Sequence, residues 1–383
     1  MIKIKQALLA LILFLGCIPS TFSQVPQFGT DDLLDVGTWN LEWFGSTEGG
    51  PTNEQLQFNN VKQVLNNTDI DIWGFTEMSN TAKYQQLLAE LPQYGGVQAT
   101  FSQTQKTALF YKKELFEVIS SNHILTASGF NYNFASRPPL EIALKSKSLY
   151  APDTLYVIVI HLKAFADQTS YDRRKGAAIA LKNNYLDLYR KDKKTIVLGD
   201  WNDDLDESTF NGIETPFQNF LDAPNDYFFP TKELSDDGES SYAFYSGSFL
   251  DHILVTDPLK DDYILSSVKV LDMMPTYISN FSQNTSDHYP VISSFHLDNI
   301  NSLELQPQSL NQHLFAIASD REKVFVLGEW VGTVEIYSIN GTKVGEFEKQ
   351  MNQLEISVQH LPQGMYVAYL QLENGAKTYN FVR

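Results

Sequence analysis

Cysteine is almost absent from this 383-residue chain: the only one, Cys17, lies within the first two dozen residues. That opening reads MIKIKQALLALILFLGCIPSTFSQ, with a basic start at Lys3 and Lys5 and an apolar run from Ala7 to Gly16. Small residues then lead to a cleavage position between Ser23 and Gln24. The pattern is that of a secretory signal peptide over residues 1–23, too short to span a bilayer. The mature chain is therefore expected to carry no cysteine, which excludes disulfides, thiolate zinc sites and cysteine nucleophiles. An exported protein without disulfides must draw its stability from its core, and a domain of this size can do so.

Basic charge is also scarce. There are 28 Lys and Arg against 46 Asp and Glu, a formal net charge of −18. Proteins that hold nucleic acid by neutralising phosphates are usually basic overall. The balance argues against tight static binding, although a bound cation can reverse the sign of an acidic cleft. Internal repeats, low-complexity tracts and, after the leader, any apolar run of membrane-spanning length are absent too. No transmembrane segment is expected in the mature chain, and no stable protein partner is implied.

What the chain has is core-forming residues, 43% hydrophobic and 13% aromatic, enough to exclude a disordered chain. From about residue 25 to 298, short apolar runs alternate with longer mixed segments. Strand character marks Val36–Asn40, Ile70–Phe75, Thr107–Tyr111, Leu140–Leu144, Leu155–His161, Thr195–Gly199, His252–Val255 and Val291–Phe295. Helical spacing of apolar residues marks Asn53–Leu65 and Tyr171–Tyr189. Strands mixed with helices predict a layered α/β or α+β domain. A polar connector follows at residues 299–312. Residues 313–383 then alternate in the manner of β-hairpins, with Asn340-Gly341 as a turn signal between Val334–Ile339 and Lys343-Val344.

The residues suited to chemistry sit at the ends of the expected strands: Asn40 and Glu42, Glu77, His161, Asp200 and Asn202, Asp251, and Asp287-His288. Strand ends are where a rigid sheet presents side chains to a cleft. Carboxylates with an amide suit a hard cation such as Mg²⁺, and an Asp–His pair suits activation of a water nucleophile. Taken singly, each has a plainer reading. Asn40 and Asn202 are turn formers, Glu77 a solvated acid, His161 a structural histidine and Asp251 a strand-end residue. It is the ordered set that points to chemistry. Asp200-Trp-Asn-Asp-Asp-Leu-Asp206 also alternates oxygen donors, but lacks the glycine and closing glutamate of a calcium loop; Ca²⁺ is at most a secondary structural ion.

Trp39-Asn40-Leu41-Glu42, Phe75-Thr76-Glu77, Val159-Ile160-His161, Gly199-Asp200-Trp201-Asn202, Leu250-Asp251-His252-Ile253-Leu254 and Ser286-Asp287-His288-Tyr289-Pro290 resemble the successive motifs of the deoxyribonuclease-like endonuclease/exonuclease/phosphatase superfamily. They follow that family's order across Val36–Phe295. The resemblance implies a four-layered α/β sandwich, two packed sheets flanked by helices; the alternation over residues 313–383 adds a small all-β domain after it. The resemblance also implies a Mg²⁺ cofactor, with Mn²⁺ as an alternative, held by Glu77 with Asn40 beside it and Asp287 in support. By the same resemblance Asp200 orients water or assists the leaving oxygen, and Asn202 holds a phosphate oxygen. His288 paired with Asp251 is general base or phosphate donor, His161 contacts the phosphoryl oxygens, and Arg137 is a phosphate-binding position.

The implied substrate is DNA or another phosphodiester, with an extracellular nuclease as first reading. A phospholipid or sugar-phosphate phosphodiesterase is second, and a non-catalytic surface-binding protein third. Arg173-Arg174-Lys175 and the aromatics Phe228-Phe229 and Tyr242–Tyr245 are candidates for phosphate and base contacts, with a solvated helix face and packed core as their plainer readings. The tail, through Val334–Gly341, Leu361–Tyr366 and Lys377–Arg383, resembles the sorting domain of the type IX secretion system of Bacteroidetes. It implies that machinery as a partner and a secreted or outer-surface destination.

Overall fold

The computed structural model describes residues 24–147, 154–245 and 248–296 and, in the C-terminal region, 315–317, 323–327, 332–338, 340–350, 353–372 and 375–383. The expected signal peptide (1–23) and connector (299–312) lie outside the described residues.

Two six-stranded mixed sheets form the first region. One runs β11 (Lys269–Val270), β12 (Val291–Phe295), β1 (Leu34–Asn40), β2 (Ile72–Met78), β4 (Lys106–Lys112), β3 (Tyr94–Gln98). The other runs β5 (Phe116–His123), β6 (Leu140–Ser146), β7 (Thr154–His161), β8 (Thr195–Asp200), β10 (Asp251–Thr256), β9 (Tyr227–Phe228). Among the described residues, only β1–β2 and β7–β8 pair in parallel. These four lie at the centres of their sheets and bring their C-terminal ends to the same edge of the fold.

The layering follows from the period-2 alternation of the strands. Val36, Ile72, Val157, Val159, Ile196 and Leu198 point between the sheets into one buried core. Trp39, Trp73 and Phe75 point the other way, against Phe58, Val61, Val64 and Leu65 of α1 (Glu54–Thr68) and Tyr84 and Leu87 of α2 (Thr81–Glu90). A short α3 (Ser128–Asn133) precedes α4 (Gln168–Leu181), whose Ala177, Ala178 and Leu181 meet Ile158, Ile160 and Val197 on the outer face of the second sheet. Three cores separate four layers, the sandwich the motifs implied. Gly74 is required where the sheets approach: a Cβ there falls 1.7 Å from Leu198 Cδ1.

Helix starts are fixed locally. Asn53 Oδ1 accepts from Leu56 N at the head of α1, and Asp167 Oδ1 accepts from Ser170 N at the head of α4. The long helix expected over Tyr171–Tyr189 starts earlier and does not stay regular. It passes through a π turn at Lys182–Leu186 before Asp187–Tyr189.

The C-terminal region is all-β, as expected. Three strands pair in the order β13 (Phe315–Ile317), β14 (Lys323–Leu327), β17 (Gln353–Ser357). Four pair in the order β16 (Lys343–Lys349), β15 (Gly332–Ser338), β18 (Met365–Leu372), β19 (Gly375–Val382). They enclose their own core of Val324, Val334, Ile336, Ile356, Ala368 and Leu370. Among the described residues, no helix is long and apolar enough to cross a membrane.

Candidate active site

The central strand ends converge on a pocket of about 790 Å³. Asn40 closes β1, Glu77 lies near the end of β2, and His161 and Asp200 close β7 and β8 as register partners. Asp251 opens the antiparallel β10 opposite Asp200. The loop before β12 supplies Asp287 and His288. Gly199 is what lets β8 deliver Asp200: its φ is +142°, and a Cβ there meets the Ile160 carbonyl oxygen at 1.9 Å.

Asn40 joins the two sheets across the floor. Its Nδ2 donates to Asp200 Oδ2 (2.9 Å) and Glu77 Oε1 (3.3 Å), while its Oδ1 accepts from Glu42 N (2.9 Å). Glu77 Oε2 accepts from Trp43 N (3.0 Å). Glu42, Trp43, Glu77 and Asn202 all have positive φ, from 43° to 58°; strained backbone of this kind gathers at functional sites. The Glu42–Trp43 turn is held from behind by buried Gln57 of α1, whose Nε2 donates to the carbonyls of Leu41 and Glu42.

His288 Nδ1 lies 2.6 Å from Asp251 Oδ2, leaving Nε2 for the pocket. Ser241 donates to the same Asp251 oxygen (2.8 Å). The His288 backbone is fixed by Trp39 Nε1, which donates to its carbonyl, and by its own N–H donating to Ser286 Oγ. Despite burial, the His288 imidazole is held well above the usual histidine range by Asp251, Asp200 and Asp287. His161 behaves oppositely. Burial, reinforced by Arg137, pushes it well below that range, so it is neutral, with Nε2 3.6 Å from Asp200 Oδ2 and 3.8 Å from Glu77 Oε1.

The acids are crowded and short of cations. Burial raises Asp200 to about 7 and Glu42 to about 8, and raises Glu77 and Asp287 as well; Asp287 adds to the effect on both glutamates. Among the described residues, no lysine or arginine lines the pocket. Among the described residues no three or more His, Cys, Asp or Glu side chains form a ready metal cluster. The donors nevertheless fit Mg²⁺, which takes one or two carboxylates and keeps several waters. Glu77 offers carboxylate oxygen, and Asn40 Oδ1 retains a lone pair. The raised acids lack the positive charge that a divalent ion brings.

Eight of the nine expected site residues thus meet here, but Arg137 faces elsewhere. Its Nε donates to His161 O (3.1 Å), Nη2 to Leu162 O (2.6 Å) and Nη1 to Gln105 Oε1 (3.2 Å). Arg137 braces the strand end that carries His161 and does not line the pocket. Asn202 lines it, with N accepted by Asp200 Oδ1 (2.9 Å) and Nδ2 donating to Leu162 O (3.2 Å). The basic start of α4 is engaged too: Arg174 is fully buried against Asp203, and Arg173 donates to Tyr132 O. In the 200–206 loop, Asp203 accepts from Arg174, Ser208 and Thr209, and Asp204 from Ser235, Leu205 and Phe249. Those two carboxylates are engaged in hydrogen bonds that hold the fold.

Glu42, Ser241, Ser286 and Gln105 are additional parts. Glu42 Oε2 accepts from Asp287 N (2.9 Å), and both glutamate and Ser286 stood inside the motifs. Ser241 and Gln105 carried no sequence signal.

A model of the Endonuclease/Exonuclease/phosphatase family matches residues 37–288, which include every expected site residue. A model of the Secretion system C-terminal sorting domain matches residues 312–382. No curated protein matches the chain by sequence. Among solved structures, the human Nocturnin catalytic domain with bound sulfate anion is similar at 19% identity and TM-score 0.50, over 69% of this chain and 94% of that one. TDP2 from D. rerio complexed with single strand DNA product is similar at 15% identity and TM-score 0.49, over 69% and 99%. A mannosyl-6-phosphatase from Bacteroides thetaiotaomicron is similar at 15% and 0.46, over 68% and 98%. At 19% identity the likeness to the Nocturnin domain speaks for fold alone.

Proposed function

This chain belongs to the Endonuclease/Exonuclease/phosphatase family and ends in a type IX sorting tail, and from that premise we propose that it is an exported, Mg²⁺-dependent phosphodiesterase whose substrate is nucleic acid. The observation that carries the proposal is the buried Asp251–His288 pair at 2.6 Å beside Glu77, Asn40 and Asp200 in one pocket. A hard divalent cation, held by Glu77 and Asn40 with Asp287 alongside, supplies Lewis-acid polarisation of the phosphoryl group and stabilises the leaving oxygen.

The protein's own residues supply the rest. Asp251 fixes the His288 ring and its charge, so that Nε2 presents a proton to a phosphoryl oxygen. Neutral His161 and the Asn202 amide share the task of holding charge that develops on that group. Asp200, hydrogen-bonded to Asn40 and opposite Asp251 on the neighbouring strand, is placed to orient the attacking water or to assist the leaving oxygen. Mn²⁺ is expected to substitute, since the donors are mainly oxygen.

The engagement of Arg137 and Arg174 with the fold removes two of the candidate phosphate contacts, which weighs against a duplex held along its backbone and for single strands or short nucleotides. A sugar-phosphate or phospholipid ester is the second reading, favoured by the lack of Lys or Arg in the lining. The test is side-by-side turnover, in Mg²⁺, of single-stranded DNA, duplex DNA, RNA, sphingomyelin and a sugar phosphate. Turnover of nucleic acid is expected to exceed the others; preference for sphingomyelin or the sugar phosphate overturns the nuclease reading.

A further inference from the structure

The mouth of the pocket is aromatic. Phe165, Tyr242 and Tyr245 all line it. Phe165 is 73% exposed and Tyr245 67% exposed. Large exposed rings beside a reaction centre call for a physical reason, since their burial elsewhere is favourable.

Phe165 is held out by construction. Its φ is +83°, a strained value for a bulky residue. Arg174 Nη1 donates to both the Phe165 and Lys163 carbonyls at 2.8 Å. Arg174 is itself fully buried and ion-paired with Asp203 at 2.7 Å. Lys163 Nζ lies 4.2 Å from the centroid of the Phe165 ring, which steadies the ring. Strain sustained by a buried ion pair is characteristic of ligand clamps.

The two tyrosines are tied to the catalytic pair. Tyr242 packs on His288 with ring centroids 5.1 Å apart, and Tyr245 stacks on Tyr242 at 5.7 Å with an interplanar angle of 25°. Ala243 N donates to Asp287 O at 2.8 Å, and Ser241 donates to Asp251. A ladder of rings therefore leads outward from His288.

Among the described residues the lining holds no Lys or Arg; the ammonium of Lys163 lies beside it, against the Phe165 ring. The rings are the uncharged surface the lining offers for contacts beyond the reacting group. Nucleobases in a single strand offer free π-faces, while those of a duplex are stacked on each other.

We propose that Phe165 and Tyr245 form a nucleobase-stacking subsite that selects unpaired nucleotides next to the scissile phosphate. This rests on the nucleic-acid reading of the same pocket. The experiment uses the full chain in Mg²⁺ and three substrates: a single-stranded oligodeoxynucleotide, its duplex, and the same strand with tetrahydrofuran abasic residues flanking the cleaved bond. Wild-type kcat/KM is expected to favour the base-bearing strand over the abasic strand by about 5- to 100-fold, the range for one lost base–aromatic stack, and to favour single strand over duplex. The double variant Phe165→Ala/Tyr245→Ala should bring the base-to-abasic ratio close to one, and Phe165→Trp with Tyr245 retained should preserve it. A wild-type ratio of one, or a ratio that survives in the double variant, overturns the subsite while hydrolysis of nucleic acid stands. Hydrolysis of sugar phosphate or sphingomyelin with none of any oligonucleotide overturns the nuclease reading and the subsite with it.

Discussion

Replacing Asp251 by Asn should disable the site through His288 while leaving its shape. Asp251 Oδ2 meets His288 Nδ1 at 2.6 Å and accepts from Ser241 Oγ at 2.8 Å, with both carboxylate and imidazole buried. Asparagine fills the same volume but removes the charge. Losing one partner of a buried, hydrogen-bonded charge pair typically costs about 3–5 kcal/mol, felt here as a loss of support for the imidazolium. The His288 pKa, raised in the native protein chiefly by Asp251, should therefore fall. Turnover should drop by roughly 10²–10⁴-fold, the usual range for a displaced acid–base group. Because the native His288 pKa is raised, the stability it contributes is full below the unfolded histidine value of about 6.5 and is lost as pH rises through the folded value. The melting difference between native protein and variant should accordingly be largest in acid and narrow in alkali. Steady-state rates across pH, with the imidazole titration followed by NMR, read both effects. Turnover within tenfold of native, or an unchanged His288 titration, refutes the reasoning.

Gly199→Ala should lower the melting temperature by the equivalent of about 1–3 kcal/mol or more, because φ of +142° and a 1.9 Å clash with Ile160 O both oppose a side chain; a melt unchanged from native contradicts this. In EDTA, stability should fall between about pH 4 and pH 8, since Glu42, Asp71, Asp200 and Asp204 have folded values raised to about 7–8 and so bind protons that the unfolded chain has released. Mg²⁺ should flatten that fall by favouring the ionised site, and denaturant melts that rise with pH in EDTA refute it. A chain ending near Asp298 should retain turnover but stay in the periplasm of the native host, because every proposed site residue precedes the sorting tail; lost turnover with continued secretion assigns the tail to the enzyme instead.

The central strands were legible because they are buried on both faces and so read as unbroken apolar runs: β1, β8 and β10 have no exposed residue. Among the elements that escaped, three did so for the opposite reason. β3 contains Gly95-Gly96, β5 is an edge strand largely open to solvent, and α2 buries only Tyr84 and Leu87. The site motifs pointed to strand ends that the fold does gather, since residues at the ends of neighbouring strands must share an edge. Charge was less informative. A guanidinium's position in sequence does not say whether it faces phosphate or carbonyl, and Arg137 and Arg174 both turn inward. Nor did composition separate the aromatics: Phe229 is core, whereas Tyr245 stands at the mouth.

The most direct test of the account is hydrolysis of bis(p-nitrophenyl) phosphate by the metal-stripped full-length protein as Mg²⁺ is added, beside the Glu77→Gln variant. No turnover is expected in EDTA and recovery is expected with Mg²⁺, while the variant should need far more Mg²⁺ or stay inactive and still melt like the native protein. Full turnover in EDTA, or a Glu77→Gln variant with native rate and native Mg²⁺ dependence, contradicts this expectation.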